Sequence, residues 1–351
     1  KAAKVLWIVG QLEPKQADGI KNALSQIKQL PQHAILTETT SNLSENACHS
    51  STIDRVIVPL EDRFDDFQPE VLIHLGGQIV SKKIKALLRK NKNKFSARIH
   101  NTAYEEDTFL GLNLAIPCEP VQVLHHFGEN CEAQKDSNYN ALWKKHIQHI
   151  DSRHLEFQKK SPYSDFYLFQ ELASRIPNAY NIFWGNSSPI RYAQLFTYQQ
   201  KNLLHFANRG TSGIEGNSST ASGYALKSEK SCLLVTGDIS FYYDINGLEA
   251  APENLKVLLI NNSGGNIFRI IDGPDKIAHF DTYLETTHNK TAVHLAAHFG
   301  FQYMSSSNEK ELPMLLDKFF ETQGKTIAEI HTPRFENPEV LKQYFQFLKE
   351  N

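Results

Sequence analysis

Excess charge of either sign is missing from this chain: 37 Lys and Arg stand against 39 Asp and Glu, a formal net charge of −2. Nothing in that balance attracts nucleic acid or an anionic membrane surface. Cysteine is scarce as well. Cys48, Cys118, Cys131 and Cys232 form no CxxC pair, which leaves no zinc ribbon and no disulfide framework and makes a reducing cytoplasm the expected location. No apolar run approaches the roughly 20 residues of a membrane span. No GxGxxG opens the first helical pattern and no GK[ST] closes a later glycine-rich turn, so neither a dinucleotide fingerprint nor a Walker loop is present. An initial Met and a leader pattern are also missing, and Lys1-Ala2-Ala3-Lys4 runs straight into an apolar stretch at Val5. The expectation is a fragment whose beginning has been removed.

What is present is alternation. At 351 residues the chain has room for two or more cores. The segments 5–9, 33–37, 55–59, 70–77 and 97–101 read as strands, with helical patterns at 16–30 and 81–90. From Gly128 the composition turns polar, and a charged helical pattern over 141–160 ends before Ser161-Pro162. His146 and His149 lie one turn apart on it, but with no carboxylate beside them they read as a solvated face, not a metal pair. Strands follow at 180–185, 203–208, 232–235, 255–260, 301–306 and 325–331, and helices at 165–175, 217–227, 291–299 and 338–350. The reading is α/β, two open and mainly parallel sheets, with domains at 1–160 and 161–351.

The stretch from Thr236 to Phe268 carries the chemistry. An apolar run ends in Gly237-Asp238, a crossover helix is expected over Phe241 to Ala250, and a second apolar run ends in Asn261-Asn262-Ser263-Gly264-Gly265. Parallel strands joined by one helix deliver Asp238 and Asn262, 24 positions apart, to the same sheet edge. A carboxylate and a carboxamide oxygen suit a hard divalent cation that takes its remaining ligands from a diphosphate and water. Glycines at 237 and 264 permit close approach of the main chain.

Two other turns are candidates. In Gly185-Asn186-Ser187-Ser188-Pro189-Ile190-Arg191, Ser187 is placed to cap a helix that Pro189 starts. Arg191 would then project from the first turn, where the helix dipole disfavours a cation, so an anion is its expected partner. The turn Asn208-Arg209-Gly210-Thr211-Ser212-Gly213-Ile214-Glu215-Gly216 sets an isolated Ile214 among polar neighbours.

RGTSGIEG, STASGYA, GDISFYYDINGL, NNSGGNIF and GNSSPIR together resemble the 2-succinyl-5-enolpyruvyl-6-hydroxy-3-cyclohexene-1-carboxylate synthases, thiamine-diphosphate transferases of menaquinone biosynthesis. The resemblance implies that residues 1–160 form the central Rossmann-like domain with a linker helix. It implies that 161–351 form the domain holding the diphosphate end of the cofactor, and that the family's N-terminal pyrimidine-binding domain has no counterpart here. By it, Asp238, Asn262 and the Gly264 carbonyl would hold Mg²⁺ or Mn²⁺, and Gly213, Ile214, Gly237, Asp238, Ile239, Ser240 and Asn262 would contact thiamine diphosphate. Ile214 matches the wedge that bends it. Ser187, Arg191, Arg209, Lys82 and Lys83 would face 2-oxoglutarate and isochorismate. Where the family usually carries Arg at the second of that basic pair, Lys83 lacks the bidentate fork.

The resemblance places the activating glutamate in the missing domain of a neighbouring subunit, so Glu215 receives no catalytic role and these residues alone are expected to be inactive. A homodimer or homotetramer is implied for the full length. Two alternatives stay open: another thiamine-diphosphate decarboxylase or acetolactate-type synthase, and a non-catalytic module for cofactor binding and assembly.

Overall fold

The computed structural model describes residues 2–102, 106–270, 273 and 277–350, the side chains at 128 and 129 excepted. The chain divides into two units, residues 1–156 with 345–351, and residues 157–344.

The first unit is built on β1 (Val5–Val9), β2 (His33–Thr37), β3 (Val71–Leu75), β4 (Phe95–His100) and β5 (Leu114–Pro117), all parallel in the order β2-β1-β3-β4-β5. Every residue of β1 and β2 is buried, as expected of central parallel strands covered on both faces. Its helices are α1 (Pro14–Ile27), α2 (Ile53–Ile57), α3 (Lys82–Lys90), α4 (Pro120–Asn130) and α5 (Tyr139–Gln158), which runs on past residue 156. Pro14 opens α1 behind a capping box between Glu13 and Gln16, and Ala17, Ile20, Leu24 and Ile27 form its buried stripe.

Residues 55–59 are not a strand. Every residue from Ile53 to Leu60 is buried, so burial marks no single face there, and the segment is α2 followed by a 3₁₀ turn at Val58–Leu60. A short, fully buried apolar run of this kind suits a strand and a helix alike. β5, which no apolar run announced, is a half-exposed strand at the sheet edge. His146 is also no solvated residue: its ring Nε2 lies 2.8 Å from the Val56 carbonyl oxygen.

In the second unit β6 (Asn181–Trp184), β7 (Leu204–Phe206), β8 (Cys232–Gly237), β9 (Leu255–Asn261), β10 (Gln302–Ser306) and β11 (Thr326–His331) are parallel in the order β10-β11-β9-β8-β6-β7. The helices are α6 (Asp165–Arg175), α7 (Ser188–Ala193), α8 (Asn217–Ala225), α9 (Asp238–Tyr243), α10 (Ile267–Ile270), α11 (Phe280–Tyr283), α12 (Val293–His298), α13 (Leu312–Glu321) and α14 (Glu336–Lys349), whose last residues belong to the first unit. β6 leads outward to β7 while its neighbour β8 leads the opposite way to β9. The carboxyl ends of β6 and β8 therefore form the switch point where open α/β sheets bind ligands.

The crossover helix differs from its expected span of 241–250. α9 starts at Asp238 and stops at Tyr243, and a 3₁₀ turn occupies Ile245–Leu248. Asp244 accepts hydrogen bonds from Ser219 N at 2.8 Å and Ser219 Oγ at 2.6 Å. A side chain at Gly247 would bring its Cβ within 2.5 Å of Ser219 N. Close approach to α8 thus ends the helix early.

Candidate functional site

The carboxyl ends of β6, β8 and β9 open onto a cavity of about 270 Å³. Register pairs Gly237 of β8 with Ile260 of β9, so the residues just beyond both strands emerge together. Ser187, Ile214, Gly237, Asp238, Ile239, Ser240, Asn262 and Gly264 all line this cavity. Turns widely spaced in sequence meet there because parallel strands end on one side.

Asp238, 2 % exposed, is the first residue of α9. Its Oδ1 accepts from Ile239 N at 2.7 Å and its Oδ2 from Gly264 N at 3.0 Å. Both carboxylate oxygens are thus held by backbone donors. Asn262, buried beside it, donates from Nδ2 to Asp165 Oδ2 at 3.2 Å, while its Oδ1 is buried without a hydrogen-bond partner among the described residues. An unpaired amide oxygen in such a place is costly unless a ligand completes it. Gly264 has φ +150°, and a Cβ there would come within 2.7 Å of the Glu285 carbonyl oxygen, so glycine is required. A Cβ at Gly237 would meet open space, which leaves room for a ligand against the main chain.

These features fit a hard cation carried on a diphosphate. No group of three or more His, Cys, Asp or Glu residues among those described could hold a metal by itself, so the diphosphate would have to supply part of the shell.

Ser240 and Asn217 fix Ile214 in the cavity wall. Ser240 Oγ donates to the Ile214 carbonyl, and Asn217 Nδ2 donates to the same carbonyl at 2.7 Å and to Ser240 Oγ at 2.9 Å. Gly213 does not line the cavity; a Cβ there would lie 2.2 Å from Glu215 Oε1. Glu215 itself is exposed and lies outside the lining.

Two local expectations at the β6 turn fail. Ser187 makes no capping hydrogen bond, and its φ of 74° and ψ of −125° depart from the extended backbone usual at that position. Strain of that kind accumulates at ligand sites. Arg191 belongs to the last turn of α7, not the first, because the helix has only six residues; the dipole gives no reason for an anion there. Its Nε is nevertheless buried without a hydrogen-bond partner among the described residues. Arg209 donates from Nη1 to Asn186 Oδ1 at 2.7 Å. Neither arginine lines the cavity. Lys82 and Lys83 open α3 in the first unit. There Lys83 Nζ lies 3.5 Å from Glu61 Oε1 and 4.8 Å from the Phe345 ring centroid.

Sequence reasoning missed several participants. Asn186 ties two turns together, donating to the carbonyls of Asn208 and Gly213, each at 2.7 Å. His288 Nε2 stands 3.3 Å from Asp238 Oδ2. Asp165, fully buried, lines the cavity from α6. Burial pushes its carboxyl up to about 6, against hydrogen bonds from Thr332 and Asn262. Only the Gly-Asn start of the β6 turn gave any signal for these residues; the others are brought in from distant sequence.

A segment from α11 closes one side. Glu285 O accepts from Gly265 N at 2.6 Å, and Ser263 O accepts from His288 N at 3.2 Å. The Glu285 side chain, fully buried, is gripped by Arg269 Nε at 2.6 Å and by Arg334 Nη2.

Residues 186–330 match the family described as thiamine pyrophosphate enzyme, C-terminal TPP binding domain. The chain is 37% identical to the 2-succinyl-5-enolpyruvyl-6-hydroxy-3-cyclohexene-1-carboxylate synthase of Christiangramia forsetii over 99% of this chain and 61% of that protein. The enzymes of the same name from Flavobacterium johnsoniae and Flavobacterium psychrophilum are 39% and 40% identical, over 95% and 90% of this chain and 60% and 57% of theirs. The chain thus spans about three-fifths of the length of these curated relatives. With relatives of one name matching both of its units, and a thiamine pyrophosphate domain laid over the cavity just described, the chain belongs to the 2-succinyl-5-enolpyruvyl-6-hydroxy-3-cyclohexene-1-carboxylate synthase family.

Proposed function

We propose that this chain is the larger part of a thiamine-diphosphate-dependent synthase that decarboxylates 2-oxoglutarate and joins the succinyl unit to isochorismate in menaquinone biosynthesis. The observation that carries the proposal is the buried Oδ1 of Asn262, without a hydrogen-bond partner among the described residues, beside the carboxylate of Asp238 at the switch point of the second sheet.

Asp238, Asn262 and the carbonyl of Gly264 would hold Mg²⁺ or Mn²⁺ against the diphosphate, with Gly237 and the start of α9 receiving its oxygens. Ile214 would support the bend of the cofactor. When bound, thiamine diphosphate supplies the nucleophilic carbon and the electron sink for loss of CO₂. The chain contributes placement and field: Arg191 and Arg209, with Ser187, would hold substrate carboxylates through charge-assisted hydrogen bonds. Lys82 and Lys83 of the first unit are proposed as further substrate-binding residues, which for Lys83 means exchanging Glu61 for substrate. In the relatives' full length a further domain and a second subunit would complete the site, as a homodimer or homotetramer. A cytoplasmic location is proposed from the four free cysteines; no helix among the described residues is long and apolar enough to cross a membrane.

The test supplies the full-length protein with thiamine diphosphate, Mg²⁺, 2-oxoglutarate and isochorismate and identifies products by mass spectrometry. The expected product joins both carbon skeletons less CO₂. Consumption of 2-oxo acid without joining isochorismate would favour another decarboxylase or an acetolactate-type synthase, and cofactor binding without turnover a non-catalytic module.

A further inference from the structure

The side-chain amide of Asn262 has two ends of nearly equal shape, and only the oxygen end can serve a cation. Nδ2 faces Asp165 Oδ2 at 3.2 Å, and Oδ1 is buried without a hydrogen-bond partner among the described residues, on the cavity that Asp165 also lines. Backbone position alone does not choose between the two orientations. An ionised carboxylate does, because it can only accept and therefore takes the NH₂ end.

That carboxylate is itself held. Its Oδ1 accepts from Thr332 Oγ1 at 2.6 Å, the Asp165 backbone N donates to Asn337 Oδ1 at 2.8 Å, and Asn337 Nδ2 donates to Thr332 Oγ1 at 3.1 Å. Asp165 and Asn337 are 1 % and 0 % exposed, so water does not compete for these bonds. An acid placed only to start α6 would not need three polar partners brought from residues 262, 332 and 337.

We propose that Asp165 is a positioning residue for the cation: it fixes the amide of Asn262 with its oxygen toward the site and its NH₂ away. The proposal rests on the thiamine-diphosphate reading above. Partners of this kind behind a metal ligand set affinity by orientation, without touching the ion.

The probe is Mn²⁺ added with thiamine diphosphate to the full-length protein, bound Mn²⁺ being read by electron paramagnetic resonance and folding by circular dichroism. Asp165→Asn introduces a donor that can turn the Asn262 oxygen away, and should weaken Mn²⁺ binding by about 10- to 100-fold. Asn262→Asp alone adds a ligand charge yet should also weaken binding, because two buried carboxylates then face each other. The double exchange, Asp165→Asn with Asn262→Asp, should return affinity to within about threefold of the natural protein, since a donor again backs an oxygen ligand. A merely structural acid would show no such recovery. Unchanged binding in Asp165→Asn, tighter binding in Asn262→Asp, or no recovery in the double exchange overturns the proposal. If Asp165→Asn does not fold, the other two variants still decide. A folded natural protein that binds no Mn²⁺ with the cofactor overturns the thiamine-diphosphate reading itself, and this inference with it.

Discussion

At Asp238 the carboxylate is committed before any ligand arrives. Backbone N–H groups of Ile239 and Gly264 hold one oxygen each, so little ordering remains to be done on binding. Asp238→Ala should therefore lower metal-dependent thiamine diphosphate affinity by at least about 100-fold while leaving the circular dichroism spectrum unchanged; calorimetry with and without Mg²⁺ reads it. Arg191 differs in kind, because its buried Nε lacks a hydrogen-bond partner among the described residues and its proposed one is a substrate carboxylate. Arg191→Ala is expected to reduce kcat/KM about 10- to 100-fold and leave cofactor affinity nearly unchanged, the worth of one or two charge-assisted hydrogen bonds. Equal loss of both would show that the arginine supports the cofactor site.

Elements that carry the site are short and depend on side chains for their shape. The segment facing Gly264 and Gly265 is held by Glu285 between Arg269 and Arg334. Burial pushes that carboxyl up, but the hydrogen bonds and charges of the two arginines more than offset it and hold it at about 2. A depressed carboxyl contributes its stability in full above its ordinary value near 4.5 and loses it as pH falls from there toward 2. Glu285→Gln should cost about 3 kcal/mol, the cost of breaking a buried ion pair. It should also flatten the acid limb of urea midpoints between those two pH values. Hydrogen exchange over 263–270 and 277–288 is expected to quicken first, since Glu285 anchors these residues.

Across the whole molecule each sheet buries a tryptophan bonded to a histidine on the next strand. Trp7 Nε1 donates to His33 Nδ1 at 2.9 Å in the first unit, and Trp184 Nε1 to His205 Nδ1 at 3.1 Å in the second. Burial lowers both histidines from 6.5 to about 4, so the folded units keep them neutral where the unfolded chain binds protons. Stability is then complete above 6.5 and declines as pH falls from 6.5 toward 4. Urea midpoints followed by tryptophan fluorescence should fall across that window. His205→Gln, which keeps an acceptor but cannot be protonated, should reduce the decline for the second unit; an unaltered slope would remove His205 as its source.

Most of this organisation was legible in the sequence, because parallel strands covered on both faces read as continuous apolar runs and turn residues mark their ends. That sufficed for ten of the eleven described strands and for the meeting of Asp238, Asn262 and Gly264, which follows from chain direction alone. It failed where a fully buried apolar run suits strand and helix alike, at 55–59, and where a neighbour ended an element, at Asp244. Sequence thus determined which residue types stand at the sheet edge. Only the tertiary structure decided how they are oriented: that Asp165 takes the NH₂ end of Asn262, that Asn186 joins two turns, and that Glu285 anchors the segment across from Gly264. The reason is physical, since strand ends are placed by local pattern, whereas a side chain's partner is set by contacts between residues far apart in sequence, 97 positions for Asp165 and Asn262 and 167 for Asp165 and Thr332.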